Sequence, residues 1–137
     1  MFHKSRRALK LMQRYGRQGC RFMGSKDLAV LRKILRHIES IMRYCADCRT
    51  LEDFSSDAMR LEATVFNLMQ IGELAKESLS DEAKAQIKTI PWQQIYGMRN
   101  RIVHGYSGVN MQIVWDTVSV DIPMLHKELE SIIKTNS

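Results

Sequence analysis

The chain has 137 residues, enough for one domain that holds a hydrophobic core without disulfide or metal staples. Its 45% apolar and 26% charged content, with two Pro and seven Gly, excludes disordered and collagen-like classes, and no run approaches the roughly 18 apolar residues of a membrane span. The net charge of +6 excludes less than it suggests, because residues 1–22 hold seven Lys and Arg and no acid, leaving 14 basic against 15 acidic side chains after them.

Those first 22 residues, MFHKSRRALKLMQRYGRQGCRF, are only loosely periodic and contain no apolar run of the kind a secretory signal needs. Their Arg-rich, acid-free composition also suits an organellar transit peptide or an arm that touches RNA phosphates. The plainer expectation is a basic extension with no folded role, ahead of a domain spanning 23–137 that starts afresh at Met23-Gly24-Ser25. Reduced thiols in a cytoplasmic protein are expected of Cys20, Cys45 and Cys48. Cys45 and Cys48 form a lone CxxC, with no second pair to complete a zinc site and no βαβ pattern to suit a redox motif.

From Lys26 onward apolar residues keep helical spacing. Leu28, Leu31, Leu35, Ile38, Met42 and Cys45 make one stripe, with Ser25 placed to cap it. A polar break at Asp47–Thr50 precedes a second long helix after Ser55-Ser56-Asp57, carrying Leu61, Val65, Leu68, Gly72 and Ala75 on one face and closed by Leu79. Gly72 within that stripe predicts close approach of another helix. Ser80-Asp81-Glu82 opens a short helix with a capping serine and acids that suit the dipole. Pro91 is expected at the first position of the next helix, PWQQIYGMRNRIVH, which Gly105 and Gly108 end. Asn110 is expected to cap the last helix, from Ile113 to Ile132, and Pro123 to kink it. No segment alternates like a strand. The expected fold is all-α, an up-and-down antiparallel bundle of four long helices and a short one.

The densest chemistry is Arg99-Asn100-Arg101-Ile102-Val103-His104-Gly105-Tyr106. An imidazole can take the proton of a ribose 2′-OH, and a guanidinium can hold phosphate oxygens and offset transition-state charge, so the set suits RNA cleavage without a metal. Plainer roles compete. His104 also suits a helix C-terminus as a cation facing the dipole, and Arg99 and Arg101 suit a solvated face. Arg99 and His104, five apart, lie about 140° around an ideal helix. They converge only if the helix loosens before His104 or if a second chain completes the site.

At these residues the sequence resembles the HEPN superfamily, and within it the HepT-like ribonuclease toxins. Arg99-x-x-x-x-His104-x-Tyr106 matches the R-x-x-x-x-H-x-Y signature. Ile71-Gly72-Glu73 resembles the family's I-G-E. Ile90-Pro91-Trp92 precedes Ile95, Gly97 and Met98 as in its I-P-W and I-x-G-x-R-N. Trp115 and Asp121-Ile122-Pro123-Met124-Leu125 resemble its closing V-W and D-x-P-x-L, so the likeness covers about residues 26–133.

The resemblance implies a homodimeric helical bundle with both signatures lining a cleft at the two-fold axis. The implied activity is metal-independent RNA endonucleolysis leaving a 2′,3′-cyclic phosphate and a 5′-hydroxyl, with no cofactor. It implies a minimal nucleotidyltransferase antitoxin as partner, which uses ATP to transfer AMP to the signature tyrosine. Carried over, Arg99 and His104 are the catalytic pair, Asn100 is their polar neighbour and Tyr106 is both site residue and AMP acceptor. Glu73 either holds Arg99 or His104 in place or is a surface charge, and Arg101 either contacts RNA or is solvated. The basic extension is outside the family pattern. The alternative expectation is a non-catalytic helical dimer that binds a nucleotidyltransferase or nucleotides.

Overall fold

The computed structural model describes residues 23–104 and 111–137, the side chains of 102–104 excepted. The described chain is all-helical, and no described helix is long and apolar enough to cross a membrane. Helix α1 (Ser25–Tyr44) is followed by the short α2 (Leu51–Ser55) and by α3 (Ala58–Glu73), which runs on through a π-helical turn, Leu74–Ser78. Helix α4 (Asp81–Gln86) is short. After it come α5 (Trp92–His104), α6 (Met111–Asp116), a second π-helical stretch at Thr117–Asp121, and α7 (Ile122–Asn136). Because α6, the π stretch and α7 are continuous, the architecture is the expected up-and-down bundle of four long rods, with one more short helix than the sequence suggested.

That extra helix, α2, is too short for periodicity to reveal. Its signal is a capping box: Thr50 Oγ1 accepts from the Asp53 amide at 3.1 Å, and Asp53 Oδ2 accepts from the Thr50 amide at 3.2 Å. Asp53 Oδ2 also accepts from the Arg49 amide at 2.9 Å. Helix α2 drives Phe54 into the core, where it is fully buried with its ring centroid 5.5 Å from that of Trp115.

Helix α1 packs against both α3 and α7, and α3 packs against α5. Ile34, Ile38 and Ile41 of α1 meet Leu68 and Ile71 of α3 and Ile122, Leu125 and Leu129 of α7 in one core. Met42, placed in the buried stripe by its spacing, is 36% exposed at the edge of that core. Alongside it, Cys45, Cys48, Arg49, Trp115 and Pro123 line an open groove of about 390 Å³. Burial pushes the Cys45 thiol up from its ordinary pKa, and its Sγ lies 3.7 Å from Thr64 Oγ1, an arrangement that suits a packed thiol more than a thiolate.

Two terminus assignments shift. Gly24, not Ser25, occupies the N-cap of α1, and no side chain caps it. The first-turn acid Asp27 instead crosses to α4, accepting from the Ser80 amide at 3.0 Å and from Ser80 Oγ at 2.7 Å. Ser80 caps α4 as expected, its Oγ accepting from the Ala83 amide at 3.1 Å. Pro91 stands one residue before α5, and its carbonyl accepts from the amides of Gln94 and Ile95 at 3.0 and 3.1 Å. The Trp92 indole then donates to the carbonyls of Lys84 and Ile87, pinning the start of α5 to α4.

Pro123 enters the first turn of α7 directly behind the π-helical stretch. The wider turn absorbs the ring, which would otherwise clash with the carbonyl four residues back. Thr117 Oγ1 and Ser119 Oγ donate to the carbonyls of Ile113 and Trp115, at 2.8 and 2.7 Å, where the ladder changes register. The expected cap Asn110 and the expected helix-ending Gly105 and Gly108 lie outside the described residues, as does the extension 1–22.

Candidate active site

The site grows from one helix crossing. Ile95 and Met98 of α5 are buried against α3, which brings Arg99, next along the helix, over the backbone of Gly72. A Cβ on Gly72 would meet Arg99 Cβ at 2.4 Å, Arg99 Cγ at 2.9 Å and the Ile95 carbonyl at 3.5 Å. Only a glycine fits there. The close approach predicted for Gly72 is therefore present, and the residue it accommodates is Arg99 itself.

One residue further, Glu73 Oε2 pairs with Arg99 Nη2 at 2.6 Å. The Arg99 side chain is 23% exposed and that of Glu73 47%, so the pair sits at the wet edge of the crossing. Asn100 Oδ1 accepts from Arg99 Nη1 at 3.2 Å. Glu73 thus contacts Arg99 while its own side chain stays half-exposed on the surface of α3. Arg101 is exposed.

Helix α5 is braced on the same side. The Tyr96 hydroxyl donates to the Ala75 carbonyl at 3.4 Å, within the π-helical turn that follows Glu73. The Lys84 ammonium lies 5.5 Å from the centroid of the Tyr96 ring. Desolvation works against the Lys84 charge, but Tyr96 and Asp81 outweigh it and hold the pKa above its ordinary value. Arg99 thus projects from a helix fixed at Trp92, Tyr96 and Gly72.

The backbone of α5 remains helical through His104, its last residue. It does not loosen between Arg99 and His104, so their backbone positions stay about 140° apart around the axis. The loosening of the helix before His104 that the sequence allowed for is absent from the backbone. Tyr106, the other signature residue, lies outside the described residues.

The profile of the HepT-like ribonuclease family, described as Ribonuclease HepT-like, matches residues 34–132. The chain belongs to the HepT-like ribonuclease family. It is 33% identical over 113 residues, 82% of its length and 92% of the relative's, to a Methanocaldococcus jannaschii protein bearing a provisional RNase name. A similarly named protein of Caldanaerobacter subterraneus subsp. tengcongensis is 38% identical over 85 residues, 62% of this chain and 75% of that one. A Thermococcus cleftensis protein named Probable ribonuclease HepT is 33% identical over 104 residues, 76% of this chain and 93% of the other. No solved structure matches. The family match spans Gly72, Glu73, Arg99 and the whole signature, so the crossing described above lies inside the shared domain.

The sequence pattern did not reveal one feature beside this site. Met59 and Phe66 of α3 are 82% and 57% exposed, seven residues apart, and Glu73 follows seven residues later. Residues at that spacing share a helix face, drifting about 20° per heptad. The outward apolar stripe of α3 therefore leads to the carboxylate that holds Arg99. It lies on the opposite side of α3 from Val65 and Leu68, which are buried in the core.

Proposed function

We propose that this member of the HepT-like ribonuclease family is a metal-independent RNA endonuclease and the toxin of a toxin–antitoxin pair. The observation that carries the reading is Arg99, a guanidinium half-buried over Gly72 and fixed by Glu73 five residues before His104. A solvated surface arginine needs neither a glycine beneath it nor a carboxylate partner on another helix.

In this mechanism Arg99 holds the non-bridging oxygens of the scissile phosphate and offsets the charge that builds on them. His104 accepts the proton of the ribose 2′-OH, and the 2′-oxygen forms a bond to phosphorus. The bond from phosphorus to the 5′-oxygen breaks, and that oxygen takes up a proton. The products are a 2′,3′-cyclic phosphate and a 5′-hydroxyl. Because one α5 separates its own Arg99 and His104 around the axis, Arg99 of one copy works with His104 of another in a homodimer. The exposed Met59 and Phe66, in line with Glu73, supply an apolar stripe for that contact.

Control of the site falls to a minimal nucleotidyltransferase. The Tyr106 phenolic oxygen attacks the α-phosphate of ATP, pyrophosphate leaves, and the phenolic proton is released. The AMP so attached adds a phosphodiester charge and a base two residues from His104, competing with RNA for Arg99. The protein itself uses no cofactor, and its expected place is the cytoplasm.

The test is cleavage of RNA by purified protein carrying unmodified Tyr106, with EDTA present, beside His104→Ala. Cleavage by the parent and none by a folded variant supports the reading. No cleavage by either, with the Tyr106 peptide confirmed free of AMP, supports instead a non-catalytic dimer that binds the nucleotidyltransferase.

A further inference from the structure

We infer that the outward face of α1 is a second RNA-binding surface, a basic ridge that holds phosphates of the nucleotides flanking the cleavage site. The inference takes its ligand from the ribonuclease reading above and gives that ligand a surface outside the signature.

Helix α1 carries five basic residues, Lys26, Arg32, Lys33, Arg36 and Arg43, against two acids. At about 100° per residue the five fall on one arc of about 120°. All five are exposed, and the ridge runs about 25 Å from Lys26 to Arg43. The next part of the chain has the opposite sign, since residues 45–82 hold nine acids against three basic side chains. Seven more Lys and Arg precede the ridge in residues 1–22.

Acids three or four residues away commonly neutralise exposed cations on a helix. Both acids of α1 are drawn off instead. Glu39, three after Arg36 and four before Arg43, turns to His126 of α7 at 3.6 Å. Asp27 turns to Ser80, accepting from its amide and hydroxyl at 3.0 and 2.7 Å. Arg32 donates to Ser137 Oγ at 3.1 Å and Arg43 to Ser40 Oγ at 3.0 Å, contacts that orient a guanidinium without cancelling its charge. Among the described residues, none of the five cations is paired with a carboxylate.

The ridge also passes the site at the right level. Asp27 meets Ser80, His37 Nδ1 pairs with Asn67 Oδ1 at 2.8 Å, and Cys45 lies against Thr64, so α1 and α3 run antiparallel in one register. That register sets Lys33 and Arg36 level with the last turns of α3, which carry Gly72 and Glu73. Helix α3 stands between α1 and α5, so the ridge is two helix spacings, on the order of 20 Å, from Arg99. Flanking nucleotides reach it, and the scissile phosphate does not. Between the cations lie Ala29 and Ser40, small side chains with none of the apolar anchors around which protein interfaces are built. Tyr44, 40% exposed at the end of the ridge, offers a ring face on which a base can stack. A single-stranded polyanion fits this surface.

The test uses the full-length protein and a fluorescein-labelled 2′-O-methyl oligouridine long enough to span the ridge, which lacks the 2′-OH needed for cleavage. Anisotropy measures its affinity across a range of salt concentrations. Each phosphate contact contributes about 0.7 to the slope of log affinity against log salt, so Lys33→Gln/Arg36→Gln should lower the slope by about 1.4 and weaken binding about tenfold at physiological salt. Each single substitution should show half that change in slope, which keeps the test readable if the double variant is unstable. With unmodified oligouridine, KM should rise and kcat stay level, because neither residue touches the reacting atoms. The control, Lys88→Gln/Lys127→Gln, removes equal charge from exposed lysines outside α1 and should match the parent.

Equal slopes in parent and ridge variant overturn the inference, as does an equal loss in ridge variant and control, which would reduce it to net charge. An unchanged RNA slope with loss of nucleotidyltransferase binding also overturns it and makes the ridge a protein-docking face. A parent free of AMP that binds RNA through the ridge yet cuts none fails the ribonuclease reading alone and leaves the ridge standing.

Discussion

Among the described residues, two helix crossings bring a basic side chain of one helix to a carboxylate of another, and they differ in what lies beneath. Where α7 crosses α1, His126 Nε2 sits 3.6 Å from Glu39 Oε2 and 3.4 Å from Glu130 Oε2 of its own helix. The backbones there are spaced by Ile38, Ile41, Ile122 and Leu125, so the imidazole bridges over a thick apolar layer. Where α5 crosses α3, Gly72 removes that layer, and Arg99 rests on bare helix with Glu73 at 2.6 Å. The first arrangement decorates a packed interface. The second fixes one guanidinium, which is what phosphate chemistry asks for and stability does not.

The comparison breaks most readily at Gly72. Gly72→Ala must move Arg99 or part the helices, and overpacking of this kind costs about 1–3 kcal/mol, only partly offset by the better helix propensity of alanine. Urea unfolding measures it. The matched control is Gly97→Ala on the partner helix, where an added Cβ meets nothing within 4 Å and no described glycine has positive φ. That change should stabilise by about 0.5–1 kcal/mol. Equal effects at the two glycines would mean the crossing is not as tight as described.

At the other crossing, His126→Gln should change stability by less than about 0.5 kcal/mol, since partly exposed ion pairs contribute little. A larger loss would place the two crossings on the same footing. The smallest effect belongs to the exposed Asp53. The Arg49 amide first, then Thr50, holds its carboxyl below the ordinary aspartate range. A pKa depressed on folding gives stability that is present above the unfolded value and lost as pH falls through the folded one. Asp53→Asn should therefore lower stability slightly at neutral pH and flatten the acid side of the stability–pH curve, with the two proteins converging at low pH.

Much of this was legible in the sequence because it follows from repetition. Four long rods were visible in apolar spacing, and Ser80 announced its cap by preceding two acids. Gly72 stood out as a gap in a stripe, though which neighbour filled it was not in the spacing. Features that depend on a single turn were not legible. Helix α2 has too few residues to show a period, and Pro91 shifted by one because capping and first-turn positions tolerate proline alike. Ahead of Pro123, where a kink was expected, the helix carries a π-helical stretch, and an extra residue in the turn relieves the clash of the ring. At the site, residue types suggested the chemistry and the resemblance supplied the roles. The pairing of Glu73 with Arg99 needed the crossing, because 26 positions in the chain separate them.

The most direct test of a site shared between two copies is complementation. Arg99→Ala and Glu73-intact His104→Ala proteins, each inactive alone, are unfolded together, refolded, and assayed on RNA with EDTA present. In a mixed dimer one site regains an intact Arg99 from one copy and an intact His104 from the other, so cleavage should return in the mixture. A mixture shown by native mass spectrometry to contain the mixed dimer, yet as inactive as its parents, would contradict the shared site.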